Sequence, residues 1–172
     1  MTLGLFDKFP QHIHFSEALN STLPAKQLQQ RLIQVFYEAN KREFTFEEAA
    51  YPTIPNGKVI FEFGLADGEA FNFIDEEELK VAWNLLANER LDLIDFVCSI
   101  RYYKGSAEKK TALKFDYYLI RTMYNGCRFE IHVAHERGPR HLSPADLAAF
   151  ISRKMNEGSN PEILKPTTTE LT

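Results

Sequence analysis

The residues best suited to chemistry fall in two places. Asp95, Tyr118 and His132 lie on three successive strand-like stretches. In one row across a sheet, a carboxylate, a phenol and an imidazole would stand about 5 Å apart between Cβ atoms. Such a row can relay protons or hold a polar ligand. The second place is Arg137-Gly138-Pro139-Arg140-His141, which runs directly into Ser143-Pro144-Ala145-Asp146. That last run reads as a helix start, where unpaired backbone amides favour anions. Arg137, Arg140 and His141 are therefore the candidate anion-binding residues. Each set has a plain alternative: a solvated sheet face with ordinary cross-strand pairs, and a basic loop turned to solvent.

Other chemistry lacks its motif. No GxSxG, GxGxxG, GxxxxGK, HExxH or CxxC occurs. His12 and His14 can share one side of an extended chain, but two imidazoles are too few for a metal site. No metal and no cofactor is expected, and catalysis is not favoured. Cys98 and Cys127 are too few for a disulfide framework and are expected as free thiols.

The elements that must position these residues follow from periodicity. A helix capped by Thr22 opens at Pro24, with Leu28, Leu32, Val35, Phe36 and Ala39 on one side. Stretches 58–65 and 69–74 predict a hairpin across Ala66-Asp67-Gly68. Its register pairs Phe63 with Phe71 and Phe61 with Phe73, an aromatic strip. Asp75 caps a helix buried along Leu79, Ala82, Trp83 and Leu86. Three longer strands span 91–103, 110–123 and 127–135. A last helix runs from Ser143 to Gly158.

Two registers are open at Tyr124-Asn125-Gly126-Cys127. A two-residue Asn-Gly turn sets Ile131 and Val133 with Ile120 and Tyr118. A three-residue loop ending at Gly126 pairs Met123 with Cys127 and sets them beside Leu119 and Tyr117 instead. The second gives one continuous apolar face with Ile94, Phe96, Cys98 and Ile100, so it is preferred. It also creates the Asp95–Tyr118–His132 row. His135 then lies on the apolar face near Phe115 as a hydrogen-bonded edge histidine.

The expected fold is α+β: one antiparallel sheet of about five strands, in the order α-β-β-α-β-β-β-α, with helices on one face. Residues 1–158 form a single domain and 159–172 a flexible tail. The apolar N-terminal run of Leu3, Leu5, Phe6, Phe9, Ile13 and Phe15 either packs over the sheet or meets a partner; burial favours packing.

Composition sets the broad class. Hydrophobic residues make up 44% and charged residues 26% of the 172, which excludes a disordered chain. No apolar run approaches the roughly 20 residues of a bilayer span. The first residues lack a secretory pattern, so a cytoplasmic location and no membrane partner are expected. The net charge is −4 but unevenly placed. Residues 43–95 carry 13 acids and 3 bases, a net of −10, while 100–141 carry 4 acids and 9 bases, a net of +5.

These features point first to a non-enzymatic cytosolic interaction domain that binds a protein partner and self-associates. The alternative is a small-molecule-binding or enzymatic domain with a pocket between sheet and helices. Phe61, Phe63, Phe71, Phe73 and Trp83 would line that pocket, and Tyr118 or His132 would supply its polar group. A third reading places RNA or single-stranded DNA on Arg101, Tyr103, Lys114, Tyr118, Tyr124 and Arg128. Nearby Asp95, Asp116, Glu130 and Glu136 make nucleic acid the weaker choice.

Overall fold

A computed structural model describes residues 3–50, 56–105 and 111–167. In chain order the elements are β1 (Phe15–Ser21), α1 (Ala25–Ala39), β2 (Phe44–Thr45), α2 (Phe46–Ala49), β3 (Gly57–Asp67), β4 (Ala70–Phe73) and α3 (Glu76–Asn88). There follow β5 (Leu93–Lys104), β6 (Thr111–Ala112), β7 (Asp116–Asn125), β8 (Arg128–Arg137), α4 (Pro144–Asn156) and β9 (Leu164–Pro166). The fold is α+β, as expected, with antiparallel strand pairing. The sheet is larger than the expected five strands: nine join it, along the path β2-β3-β5-β7-β8-β1-β9, with β4 on β3 and β6 on β5. None of the helices is long and apolar enough to cross a membrane among the described residues.

Two of the predicted helix caps form. The Asp75 side chain accepts from the Glu78 N–H, and Ser143 accepts from the Asp146 N–H with Pro144 in the first turn. Helix α1 has no side-chain cap. Thr22 instead donates its N–H to the Ile163 carbonyl. The helices bury an aromatic core against the sheet. Phe36 stacks on Phe63 at 4.0 Å and meets Phe96 edge-on at 4.8 Å, while Phe61 stacks on Phe150 at 4.6 Å. Such pairs add about 0.5–1.5 kcal/mol each beyond the area they bury.

Both tight hairpins differ from the expected loops, and for one reason. Asp67 pairs with Ala70 and Asn125 with Arg128, leaving two-residue turns, Gly68-Glu69 and Gly126-Cys127. Each places glycine first with positive φ, +67° and +62°. That is the type II′ geometry whose twist suits a hairpin. At the first turn, Phe71 now opposes Ala66 and Phe73 opposes Gly64. The aromatic strip therefore splits: Phe61 and Phe63 lie under the helices, Phe71 lies on the outer face, and Phe73 is 48% exposed.

At the second turn, Ile120 pairs with Val133 and Thr122 with Ile131. Ile131 and Val133 face the helices with Ile120 and Tyr118, away from Leu119 and Tyr117. Across β5, Phe96 pairs with Ile120 and Cys98 with Tyr118. The expected one-sided sheet is thereby corrected, because the outer face has a cover of its own. Val97, Leu119 and Ala134 form a second cluster there with Phe6, Phe9, Ile13, Phe71 and Tyr117.

That cover is the N-terminal segment, packed within the chain. Strand β3 follows β5 only as far as Phe63 opposite Cys98. Beyond it Gly4 fills the gap, donating to the Ala66 carbonyl (2.6 Å) and accepting from the Asp95 N–H (2.7 Å). Gly64 marks the departure point. A Cβ there would stand 2.9 Å from Val97 Cγ1 and 3.3 Å from the Asn72 carbonyl, too tight for a side chain.

The C-terminal stretch also departs from expectation. Strand β9 pairs with β1, and the Asn156 side chain bonds both the N–H and the carbonyl of Leu164. Ile163 and Leu164 are buried. The packed body thus extends past the expected boundary at 158; residues 168–172 of the expected tail lie outside the described residues.

Candidate functional site

The loop after β8 does gather an anion, and it is internal. Asp116, fully buried at the start of β7, accepts from the Arg140 N–H (2.6 Å) on Oδ1 and the His141 N–H (2.9 Å) on Oδ2. The Tyr102 hydroxyl donates to Oδ2 at 2.6 Å, and His135 Nε2 lies 2.9 Å from Oδ1. Tyr102 in turn accepts from the Leu142 N–H, and the Tyr118 hydroxyl donates to the Leu142 carbonyl. The backbone amides of Arg140 and His141 are thus taken by this carboxylate, while at the helix start that follows the Asp146 N–H is taken by the Ser143 side chain. Arg140 holds a positive φ of +60° to present its N–H. Gly138 (φ +114°) passes so close to Asp116 and the Phe115 carbonyl that no Cβ would fit.

The chemistry open to this cluster is limited. Burial, reinforced by the Asp116 hydrogen bond, pushes the Tyr102 phenol far above its usual range. Burial does the same to Tyr118. Both remain protonated donors, and every contact serves to hold the 138–142 loop on the sheet. Beside the cluster, His14 Nδ1 accepts the His135 backbone N–H at 2.9 Å. The His14 imidazole is held below its usual pKa of 6.5, first by desolvation and then by Arg140, His12 and His135, against Glu136.

The expected trio comes together in part. Asp95 and His132 share a row on the outer face, but Arg121 stands between them where Tyr118 was expected. Tyr118 points to the opposite face, since the two-residue turn and the β5–β7 register reverse its parity. Arg121 grips Asp95 through two bonds, Nε to Oδ1 at 2.8 Å and Nη2 to Oδ2 at 3.0 Å. The Phe6 N–H adds a third at 2.9 Å, and the Phe9 ring lies 4.4 Å beneath the guanidinium. The site fastens the N-terminal segment. His132 is turned to Glu130, Nε2 to Oε2 at 3.6 Å.

The pocket expected between sheet and helices is not assembled by its residues. Phe61 is fully buried among Phe44, Phe63 and Phe150, with ring centroids 4.6–5.6 Å away. Phe73 faces solvent, and Trp83 is partly buried against the main core. The outer-face set read for nucleic acid also separates. Tyr118 and Tyr124 are buried on the helix side, Arg101 pairs with Glu62, and Arg128 pairs with Glu130. Cys98 is buried and Cys127 exposed, both free as expected.

Another opening is a cleft of about 320 Å³ between α1 and α4. Its cations are already engaged. Arg31 donates to the last carbonyls of α4, those of Lys154, Met155 and Glu157; Arg42 pairs with Glu48 and Lys154 with Glu157. This closes a helix C-terminus, where cations are favoured.

The ends of the sheet contrast more sharply. Strand β9 carries Lys165 and Pro166, devices that blunt an edge against pairing. Strand β4 carries Ala70-Phe71-Asn72-Phe73 and pairs only with β3 among the described residues. From Asp67 to Glu78 the chain has six acids and no Lys or Arg. No family model matches the sequence, and no curated protein or solved structure matches it either.

Proposed function

We propose that the chain is a non-enzymatic interaction domain that binds a protein partner by accepting an extended segment along the outer edge of β4. Such an edge offers backbone groups to an added strand, here those ahead of the Phe73 carbonyl, which accepts from the Asp75 N–H, and side chains alternating along the partner give specificity. The observation that carries this reading is Phe73, half exposed on an edge that lacks the Lys or Pro found on β9. The surrounding acids favour a partner segment that alternates basic and apolar residues. A second copy of the chain would set six acids against six, so self-association by this edge is opposed. The best-connected polar cluster, around Asp116, is committed to holding its own loop, which supports binding over catalysis.

A peptide alternating lysine and valine tests the reading on the full chain. It should shift the backbone amide resonances of β4, and Phe73→Lys should abolish the shift while leaving the rest of the spectrum unchanged. The matching glutamate–valine peptide should be silent. Shifts confined to other strands, or binding indifferent to Phe73→Lys, would refute it.

A further inference from the structure

The outer face holds a groove of about 290 Å³ between the N-terminal segment and β7. Its flat surfaces are aromatic. Phe6 and Phe71 contribute one pair of rings, centroids 4.8 Å apart, and Tyr117 with Leu119 contributes from β7. Its polar groups are Lys8, Glu136 and Arg137.

Arg137 is placed there by a backbone irregularity. Tyr117 pairs with Arg137 but Tyr118 pairs with His135, so Glu136 is an extra residue in β8. A bulge of this kind re-aims the side chains beside it. The Arg137 guanidinium stands 5.2 Å from the Tyr117 ring centroid and 5.8 Å from that of Phe115. No ion pair to Arg137 is formed among the described residues, whereas Arg42, Arg101, Arg121 and Arg128 each have a carboxylate. Lys8 meets Glu69 at 3.5 Å with both side chains more than 70% exposed, a contact that holds it weakly. The groove thus carries one net positive charge on a chain whose total is −4.

We propose that this groove is a binding site for a small aromatic carboxylate, with its ring among Phe6, Phe71 and Tyr117 and its carboxylate on Arg137. A carboxylate matches the two-pronged donor geometry of a single guanidinium. A dianionic phosphate would suffer more from Glu136, which adjoins the same arginine. The occupant is distinct from a strand added at β4, because the charge that selects it comes from β8.

Benzoate is the probe, titrated into the full chain and followed by backbone amide shifts. The expected result is a saturable shift at Phe71, Tyr117 and Leu119, weakened about tenfold or more by Arg137→Gln, since hydrogen bonds to charged groups are the stronger class. Arg128→Gln, on the same face but outside the groove, should leave it unchanged. Benzyl alcohol should bind far more weakly. Should Arg137→Gln lose the native spectrum, Tyr117→Leu serves instead and should remove the preference for benzoate over acetate. Equal binding of benzyl alcohol, indifference to Arg137→Gln in a folded variant, or no saturable shift at millimolar benzoate would overturn the proposal.

Discussion

Asp116 takes two backbone amides, a phenol and an imidazole on one carboxylate. Asp116→Asn keeps the shape but turns an acceptor into a donor facing other donors. Unfolding free energy should fall by about 2–4 kcal/mol, read from urea midpoints at constant slope. An unchanged midpoint would mean the loop holds without this carboxylate. The cluster was illegible in sequence because nothing in the spacing joins 116 to 135, 140 and 141; Asp116 read only as an acid interrupting a basic face. The one local signal was Gly138. A second residue sets a pH dependence. His14 accepts the His135 N–H only when neutral, and its folded pKa lies below 6.5. The unfolded chain therefore takes up the proton first. The His14 contribution is complete above about pH 6.5 and is lost as pH falls below that, until the lowered folded pKa is passed. His14→Asn keeps an acceptor without titrating, so its melting temperature should fall less than the parent's between pH 7 and pH 5. Parallel curves would remove His14 from the account.

Among the elements, the N-terminal segment decides the face of every long strand. Sequence periodicity located α1, α3, α4 and the three long strands near their observed positions, because each carries a strong apolar repeat. It failed at the turns, where one residue of difference exchanges the two faces. The preferred register sets Ile94, Phe96, Cys98, Ile100, Leu119, Ile131 and Val133 on one side, an economy that suits a sheet with a single apolar face. Leu119 and Val97 instead lie under Phe6, Phe9 and Ile13. Strand β1 escaped notice because Glu17 interrupts the alternation between Phe15 and Leu19, and β9 because three residues, one of them a proline, carry little signal. Asp95 clamps this arrangement, its side chain wholly buried and Arg121 a quarter exposed. Asp95→Asn weakens the ion pair and the Phe6 contact together. The expected loss is about 3–5 kcal/mol, the range for breaking one partner from a buried pair. Hydrogen exchange should accelerate first at Gly4 to Asp7, since those amides depend on the clamp. Uniform acceleration across the sheet would show that the segment is not a separately released unit.

For the whole molecule, the uneven charge becomes a statement about association. The acids of β3, of the turn and cap on either side of β4, and of α3 gather at one end of the sheet path, and most of the basic side chains of residues 100–141 lie on β5, β7, β8 and the loop beyond. Screening acts over about 10 Å at 0.1 M salt and less above it, so exposed charges at the β4 edge answer to ionic strength. A basic strand added there should bind more weakly as sodium chloride is raised, mainly through slower association. Two copies meeting edge to edge should do the reverse, because salt screens acid from acid. Head-to-tail contact between the acidic and basic halves would weaken with salt, as peptide binding does, but would not respond to Phe73→Lys. Sedimentation at low and high salt, with and without the lysine–valine peptide, separates the three. The β4 reading expects a monomer at low salt and a complex with the peptide that salt dissociates. A salt-strengthened dimer that Phe73→Lys disrupts would make a second copy the occupant of that edge, in spite of the acids it brings.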